Sequence, residues 1–441
     1  MKNLLIIAYY FPPSGGPGVQ RVLKNVKYLP EFGWQPIVLT VSNGQFPARD
    51  ESLLSQIPDS TIVKRVPIYE PYDIYRFITG KKAGTPIDVN VIKKESQKLT
   101  TKEKFAELIR STFFIPDARV GWLLTAGKAL KKIQKEYKID AVYSSSPPYT
   151  CSLIARNFKR KYHVPWVAGF RDPWRKFLTA PKRWFLPDLI DIRMERSVFE
   201  EADTVESAWE GITKDALGKY PLLKKGKFFH VPNGFDSSDF PTVDGKRNDK
   251  FTITYTGSLY GRRNPSSFFS AIELLIKEKK INPDKICIRF IGRFGAEVEE
   301  MFLNTSFKNS IEIISYMPHE ESIKYLLQSD ALLLIVDEAK ESEEIVPGKV
   351  YEYIGVKKPI LAIAPAESAI AKLLDETSSG LVAHQTDIEK TADIIKNYYL
   401  NWKNNENNFK PDTEAVNKYE RKNAAKMLSE ILNELINRKR K

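Results

Sequence analysis

At 441 residues, with 42% apolar and 28% charged side chains, the chain is long for one domain and suits two, each with its own core. A formal net charge of +13 asks for an anionic partner, which means a phosphorylated substrate, an anionic membrane surface or nucleic acid; no nucleic-acid module signature occurs, so that last option is weakest. Two distant cysteines, Cys151 and Cys287, exclude a disulfide framework, and His163, His230, His319 and His384 show no metal-ligand spacing, so no metal site is expected.

The apolar start, Met1 to Ala8, reads as a first strand and not as a signal peptide, because Tyr9-Tyr10-Phe11-Pro12-Pro13 stands where small cleavage-site residues belong. No run reaches the roughly 18 apolar residues that span a bilayer, and a cytoplasmic protein, at most peripheral on a membrane, is expected. Strand Asn3–Tyr9 leads through Ser14-Gly15-Gly16-Pro17-Gly18 into a helix from Val19 to Leu29, with Val22, Leu23, Val26 and Leu29 on one face. Gly15 and Gly16 let a backbone approach a ligand with no side chain between; a tight turn alone is the alternative. The Gly-x-Gly-x-x-Gly dinucleotide fingerprint is absent.

Gln35–Val41 and Thr61–Val66 read as the next strands, followed by a polar insertion from Pro71 to Thr101. A helix is expected from Arg119 to Tyr137, then a strand over Asp140–Tyr143 and a helix starting near Pro148 with Ser146 as its cap. Strand Val164–Phe170 delivers Arg171-Asp172-Pro173-Trp174 to its C-terminal mouth. There Asp172 either orients an acceptor hydroxyl or caps the following helix. Next, Trp174-Arg175-Lys176-Phe177 and Pro181-Lys182-Arg183-Trp184-Phe185-Leu186-Pro187 interleave rings and cations. That pattern suits contact with anionic lipid headgroups; a basic rim around an acceptor site, or buried aromatics with solvated charges, would look the same. A helix over Asp188–Ala202 and a strand over Thr204–Ala208 complete this half.

After His230-Val231-Pro232, the turn Asn233-Gly234-Phe235-Asp236 and the polar segment to Asn248 mark a boundary. The division expected is 1–240, 241–415 and a C-terminal helix within 416–441, the helix itself running from about Glu414 to Ile436. Strand Phe251–Thr256 opens into Gly257-Ser258-Leu259-Tyr260-Gly261-Arg262-Arg263 and a helix from Ser266 to Lys277, a plausible anion cradle because arginine presents a fork to phosphate oxygens. Strand Ile286–Gly292 ends at Gly292-Arg293; Ile311–Tyr316 follows, with His319 as an ordinary loop residue before a helix to Gln328.

The most informative stretch is Glu344-Ile345-Val346-Pro347-Gly348-Lys349-Val350-Tyr351-Glu352-Tyr353, set between the apolar runs Ala331–Val336 and Ile360–Ile363. In an open α/β sheet, ligands sit beyond the strand C-termini, and a helix start there offers unpaired N–H groups and partial positive charge to phosphate. Lys349 adds a full charge, and Glu352 offers two oxygens to a sugar diol. A bare pair of glutamates would read as a solvated helix face; the Pro-Gly-Lys between them and the flanking strands favour a site.

These motifs resemble the donor site of glycosyltransferase family 4, nucleotide-sugar enzymes of the GT-B fold. The resemblance extends over nearly the whole chain. It implies an α/β fold of two Rossmann-like domains facing an interdomain cleft, with the last helix crossing back to the first domain. It further implies a donor held through Gly15, Gly16, Gly257, Arg262 or Arg263, Gly292, Lys349 and Glu352, and transfer with retention of anomeric configuration to an acceptor hydroxyl. Arg263 and Lys349 would stabilise the leaving diphosphate without a metal, Glu352 would hold the ribose, and Glu344 would lie near the donor sugar. The family often places a histidine where this chain has Arg171-Asp172, so no protein base is assigned. A saccharide or lipid-linked acceptor and bacterial cell-surface polysaccharide synthesis are the implied setting. A nucleotide-sugar epimerase on the same fold and a non-catalytic nucleotide-sugar-binding partner are the alternatives.

Overall fold

A computed structural model describes residues 1–46, 48–70, 108–175, 182–261, 263–336 and 346–440. The expected insertion at 71–101, Arg262 and Glu344 therefore lie outside the described residues. Two compact units form, one of Met1–Asn233 with Arg421–Lys441 and one of Gly234–Glu420.

The first unit is built on seven strands, β1 (Lys2–Ile7), β2 (Trp34–Val41), β3 (Ile62–Val66), β4 (Ala141–Ser146), β5 (Trp166–Phe170), β6 (Thr204–Ser207) and β7 (Phe228–His230). All pair in parallel, in the order β3-β2-β1-β4-β5-β6-β7. Strand side chains alternate between faces: Leu5 and Ile7 pack into one core with Ile37, Leu39 and Trp166, while Leu4 and Ile6 pack into another with Val38 and Tyr143. Burial on both faces explains why central strands such as β1 and β2 read as nearly continuous apolar runs. The helices that matter here are α1 (Pro17–Tyr28), α2 (Thr150–Tyr162) and α3 (Phe185–Glu201).

The second unit repeats the architecture with β8 (Phe251–Thr256), β9 (Ile286–Gly292), β10 (Ile311–Ser315), β11 (Ala331–Ile335), β12 (Ile360–Ile363) and β13 (Gly380–Ala383). Its parallel order is β10-β9-β8-β11-β12-β13. Strand order reverses direction between β1 and β4 in the first sheet and between β8 and β11 in the second. The loops beyond those strand ends splay apart, which is where such sheets open a crevice for ligands. Two helices border the second opening, α4 (His319–Leu327) and α5 (Gly348–Val356).

The expected C-terminal helix is broken into a short helix over Thr413–Asn417 and α6 (Arg421–Arg440). Asp412 caps the first piece by accepting from Glu414 and Ala415 N–H, each at 3.0 Å. The carbonyl of Tyr419 then accepts from Phe235 N–H at 3.0 Å, which draws the backbone out of helix. Beyond the break, Ala425, Leu428, Ile431, Leu432, Leu435 and Ile436 bury their shared face against the first unit's sheet, in the core of Leu4, Ile6 and Val26.

Candidate functional site

At the second sheet's switch point, β8 and β9 end side by side, with Gly257 N–H donating to Ile291 O at 2.8 Å. A Cβ on Gly292 would lie 2.0 Å from Gly257 O, and the two residues have φ of +149° and +115°. Both features require glycine, so backbone lies against backbone and leaves the strand mouths open.

Lys349 reaches this spot from the first turn of α5. Its Nζ donates to Thr256 O at 3.0 Å, stands 3.8 Å over the Tyr255 ring and is 3.4 Å from where a Gly257 Cβ would sit. The ring face and carbonyl both present partial negative charge, so they fix a cation next to the side-chain-free backbone of Gly257. No side chain caps the start of α5, whose N-cap is Pro347. One turn further, Tyr353 is fully buried and its hydroxyl accepts from Thr256 N–H at 2.9 Å, pinning the helix to the end of β8. Burial holds that phenol well above its ordinary pKa, so it stays a neutral acceptor and donor.

Glu352 lies three residues beyond Lys349 and so neighbours it on the helix surface. Its Oε1 is 2.7 Å from His319 Nε2, on the first residue of α4, and both side chains are about a quarter exposed (26% and 27%). His319 is thus helical and engaged with the site, which corrects its reading as an ordinary loop residue. Arg263 sits half-buried in the turn after β8, its N–H donating to Tyr260 O at 3.2 Å. The structure therefore gathers Gly257, Gly292, Lys349 and Glu352 around one helix and two strand ends. Arg263 lies on the same loop after β8. Sequence reasoning gave no site role to Tyr255, Tyr353 or His319; Tyr353 closes the quoted motif, and a phenol at that spacing from Lys349 was the signal for it.

In the first unit, Gly15 is buried and donates its N–H to Ala48 O at 2.9 Å, while Gly16 is exposed at φ +88° as the N-cap of α1. Arg171, after β5, gathers three loops: its N–H donates to Ser146 O at 2.9 Å, its guanidinium donates to Pro147 O, and that group lies 5.7 Å from the Tyr10 ring and against Gly18. Asp172 follows, half-buried, with a carboxyl pushed above the usual range by burial while Arg171 pulls the other way. It caps no described helix: the next one, α3, has Trp184 at its N-cap.

One further expectation is corrected here, and one pattern is resolved into its parts. Ser146 does not cap α2; its hydroxyl lies 2.8 Å from Ser152 Oγ, and Asp117 accepts from Thr150 N–H (3.0 Å) and Thr150 Oγ1 (2.8 Å) instead. The interleaved rings and cations are also divided between core and surface. Trp174 is 3% exposed and donates to Asp191, and Arg183 pairs with Asp191 while donating to the carbonyls of Ser111, Phe114 and Pro116. Arg175 pairs with Asp188 and Glu195. What reaches solvent is Lys182 with Trp184, Phe185 and Leu186, the Trp184 indole donating to Thr112 Oγ1 at 2.9 Å, next in sequence to the exposed Phe113.

Among the described residues, no three or more His, Cys, Asp or Glu are grouped as a metal ion would need, and no helix is long and apolar enough to cross a membrane.

Residues 236–415 match the family model described as glycosyl transferases group 1. Among solved structures, the chain is similar to HepE of Anabaena in complex with UDP, at 12% identity and TM-score 0.59, covering 98% of this chain and 100% of that one. It is also similar to sucrose-phosphate synthase of Thermosynechococcus elongatus (11% identity, TM-score 0.58, 99% of each chain). A third is WaaG, a glycosyltransferase involved in lipopolysaccharide biosynthesis (13% identity, TM-score 0.55, 98% of this chain and 99% of that one). No curated protein matches the sequence significantly. Residues 236–415 of the second unit thus match a glycosyl transferases group 1 domain, and the chain shares the GT-B fold of these structures.

Proposed function

We propose that this protein transfers a sugar from a nucleoside-diphosphate sugar to an acceptor hydroxyl, with the donor held by the second unit and the acceptor met by the first. The observation that carries the reading is Lys349, fixed by Thr256 O and the Tyr255 ring beside the bare backbone of Gly257 and Gly292. Breaking the glycosidic bond leaves negative charge on a diphosphate, and a preset cation beside backbone N–H groups stabilises that charge as it grows. Arg263, or Arg262, adds a second cation from the β8 loop. Glu352 takes the ribose hydroxyls and Glu344 lies near the donor sugar.

Transfer proceeds on one face with retention, the departing phosphate accepting the acceptor's proton, so neither a metal nor a protein base is assigned. Asp172, whose carboxyl burial pushes above the usual carboxylate range, orients the acceptor hydroxyl. A saccharide or lipid-linked acceptor in bacterial cell-surface polysaccharide synthesis is the setting, a reading supported by the structural neighbour WaaG, described as involved in lipopolysaccharide biosynthesis. The exposed Trp184, Phe185, Leu186 and Phe113, on a chain of net charge +13, support reversible docking on the anionic inner face of the membrane.

The test is a panel of nucleotide sugars, with UDP-sugars first. Thermal stabilisation identifies the donor, and release of nucleoside diphosphate with and without saccharide acceptors follows turnover. Acceptor-dependent release supports transfer. Binding with no release would favour a non-catalytic partner, and isomerised donor with no acceptor would favour an epimerase.

A further inference from the structure

Between α4 and α5 the structure sets an imidazole against a carboxylate that the proposed chemistry uses for something else. We propose that His319 is a positioning residue for donor recognition: it holds Glu352 in the one orientation that presents its carboxylate to the ribose hydroxyls. The inference rests on the reading of Glu352 as the ribose contact.

The geometry supports it in three steps. His319 Nε2 and Glu352 Oε1 are 2.7 Å apart, and a carboxylate oxygen accepts, so Nε2 is the nitrogen that carries the proton. This bond spends one oxygen and leaves Oε2, with both side chains still about a quarter exposed, so a ligand can reach the pair. The two residues come from different segments of the sheet's edge, α4 after β10 and α5 after β11. Their bond therefore fixes a long, flexible glutamate from outside its own helix. Without it, Glu352 would have to give up its rotamer freedom when the nucleotide arrives; with it, that ordering precedes binding. Lys349, one turn earlier on α5, is fixed from β8 in the same way, so diphosphate and ribose contacts are both preset on a single helix.

The test uses the full chain and whichever of UDP, GDP and ADP binds it best by calorimetry, together with the 2′,3′-dideoxy form of that nucleotide. The parent should prefer the ribonucleotide. Glu352→Ala should abolish that preference. His319→Ala should cut ribonucleotide affinity about tenfold, equivalent to ~1.4 kcal/mol, while leaving dideoxynucleotide affinity unchanged, which also shows that the variant is folded. His319→Gln, whose amide can donate to the same oxygen, should recover most of the loss, and His319→Ala combined with Glu352→Ala should be no worse than Glu352→Ala alone. If Glu352→Ala erases the preference and His319→Ala leaves it intact, the positioning role is wrong and the ribose contact stands. If His319→Ala weakens both nucleotides equally, or His319→Gln fails to recover the loss, His319 is merely structural. If the parent shows no preference, or Glu352→Ala retains it, the reading of Glu352 falls and this inference with it.

Discussion

Replacing Gly292 with alanine is the sharpest structural perturbation of the donor site. The new Cβ would sit 2.0 Å from Gly257 O, closer than real Cβ atoms come to any neighbour, so β9 and the loop after β8 must separate. The φ of +149° adds strain, because side-chain-bearing residues rarely adopt it. Overpacking costs about 1–3 kcal/mol and a disfavoured backbone region about 1–3 kcal/mol, so Gly292→Ala should lose roughly 2–6 kcal/mol. Gly261→Ala is the control: φ is +63° but no atom lies within 4 Å, so only the left-handed penalty of about 1–2 kcal/mol applies. Hydrogen exchange at the β8 and β9 amides reads the stability locally, and calorimetry with whichever of UDP, GDP and ADP binds the parent best reads the site. Gly292→Ala should speed exchange in both strands and weaken that nucleotide, because Gly257 and the Thr256 carbonyl that holds Lys349 move together. If it exchanged like Gly261→Ala and bound the nucleotide like the parent, the close backbone contact would not be part of the site.

Tyr353→Phe strips the hydroxyl that accepts Thr256 N–H and should cost about 1–3 kcal/mol, the price of a buried donor left unpaired; urea denaturation checks it. Asp172 binds its proton more tightly folded than unfolded, so it withdraws stability as pH rises from the ordinary carboxylate range through its raised folded value. Asp172→Asn should therefore be more stable than the parent at pH 7, with the advantage fading in acid, and slower in transfer. An acceptor-dependent rate unchanged by that substitution would remove Asp172 from the acceptor site. Phe185→Ser with Leu186→Ser should reduce co-sedimentation with anionic vesicles and leave nucleotide affinity alone; equal sedimentation would mean the exposed patch does not meet lipid.

Much of the fold was legible because the central parallel strands are buried on both faces and announce themselves as apolar runs, as Ala331–Val336 does before the Lys349 helix. The Pro-Gly-Lys segment was legible for the same reason: it follows such a run, and the chain must then leave the sheet at its C-terminal edge. Contacts between distant segments were not legible. Nothing near His319 in the chain points to Glu352, 33 residues on, and Asp117 displaced Ser146 as the partner of Thr150 from an equal separation of 33. Composition misled where one pattern served two environments. Trp174 and Arg183 look like Trp184 and Lys182 in sequence, yet Asp191 draws the first two inward as a buried hydrogen-bonded set.

Turnover of Lys349→Ala against the parent, with the nucleotide sugar that stabilises the chain most, tests the proposed chemistry most directly. Loss of one preset group facing transition-state charge commonly costs on the order of 10²–10³ in kcat, so nucleoside-diphosphate release should fall by that much while the fold persists. A variant that released nucleoside diphosphate as fast as the parent would show that Lys349 does not meet the departing diphosphate.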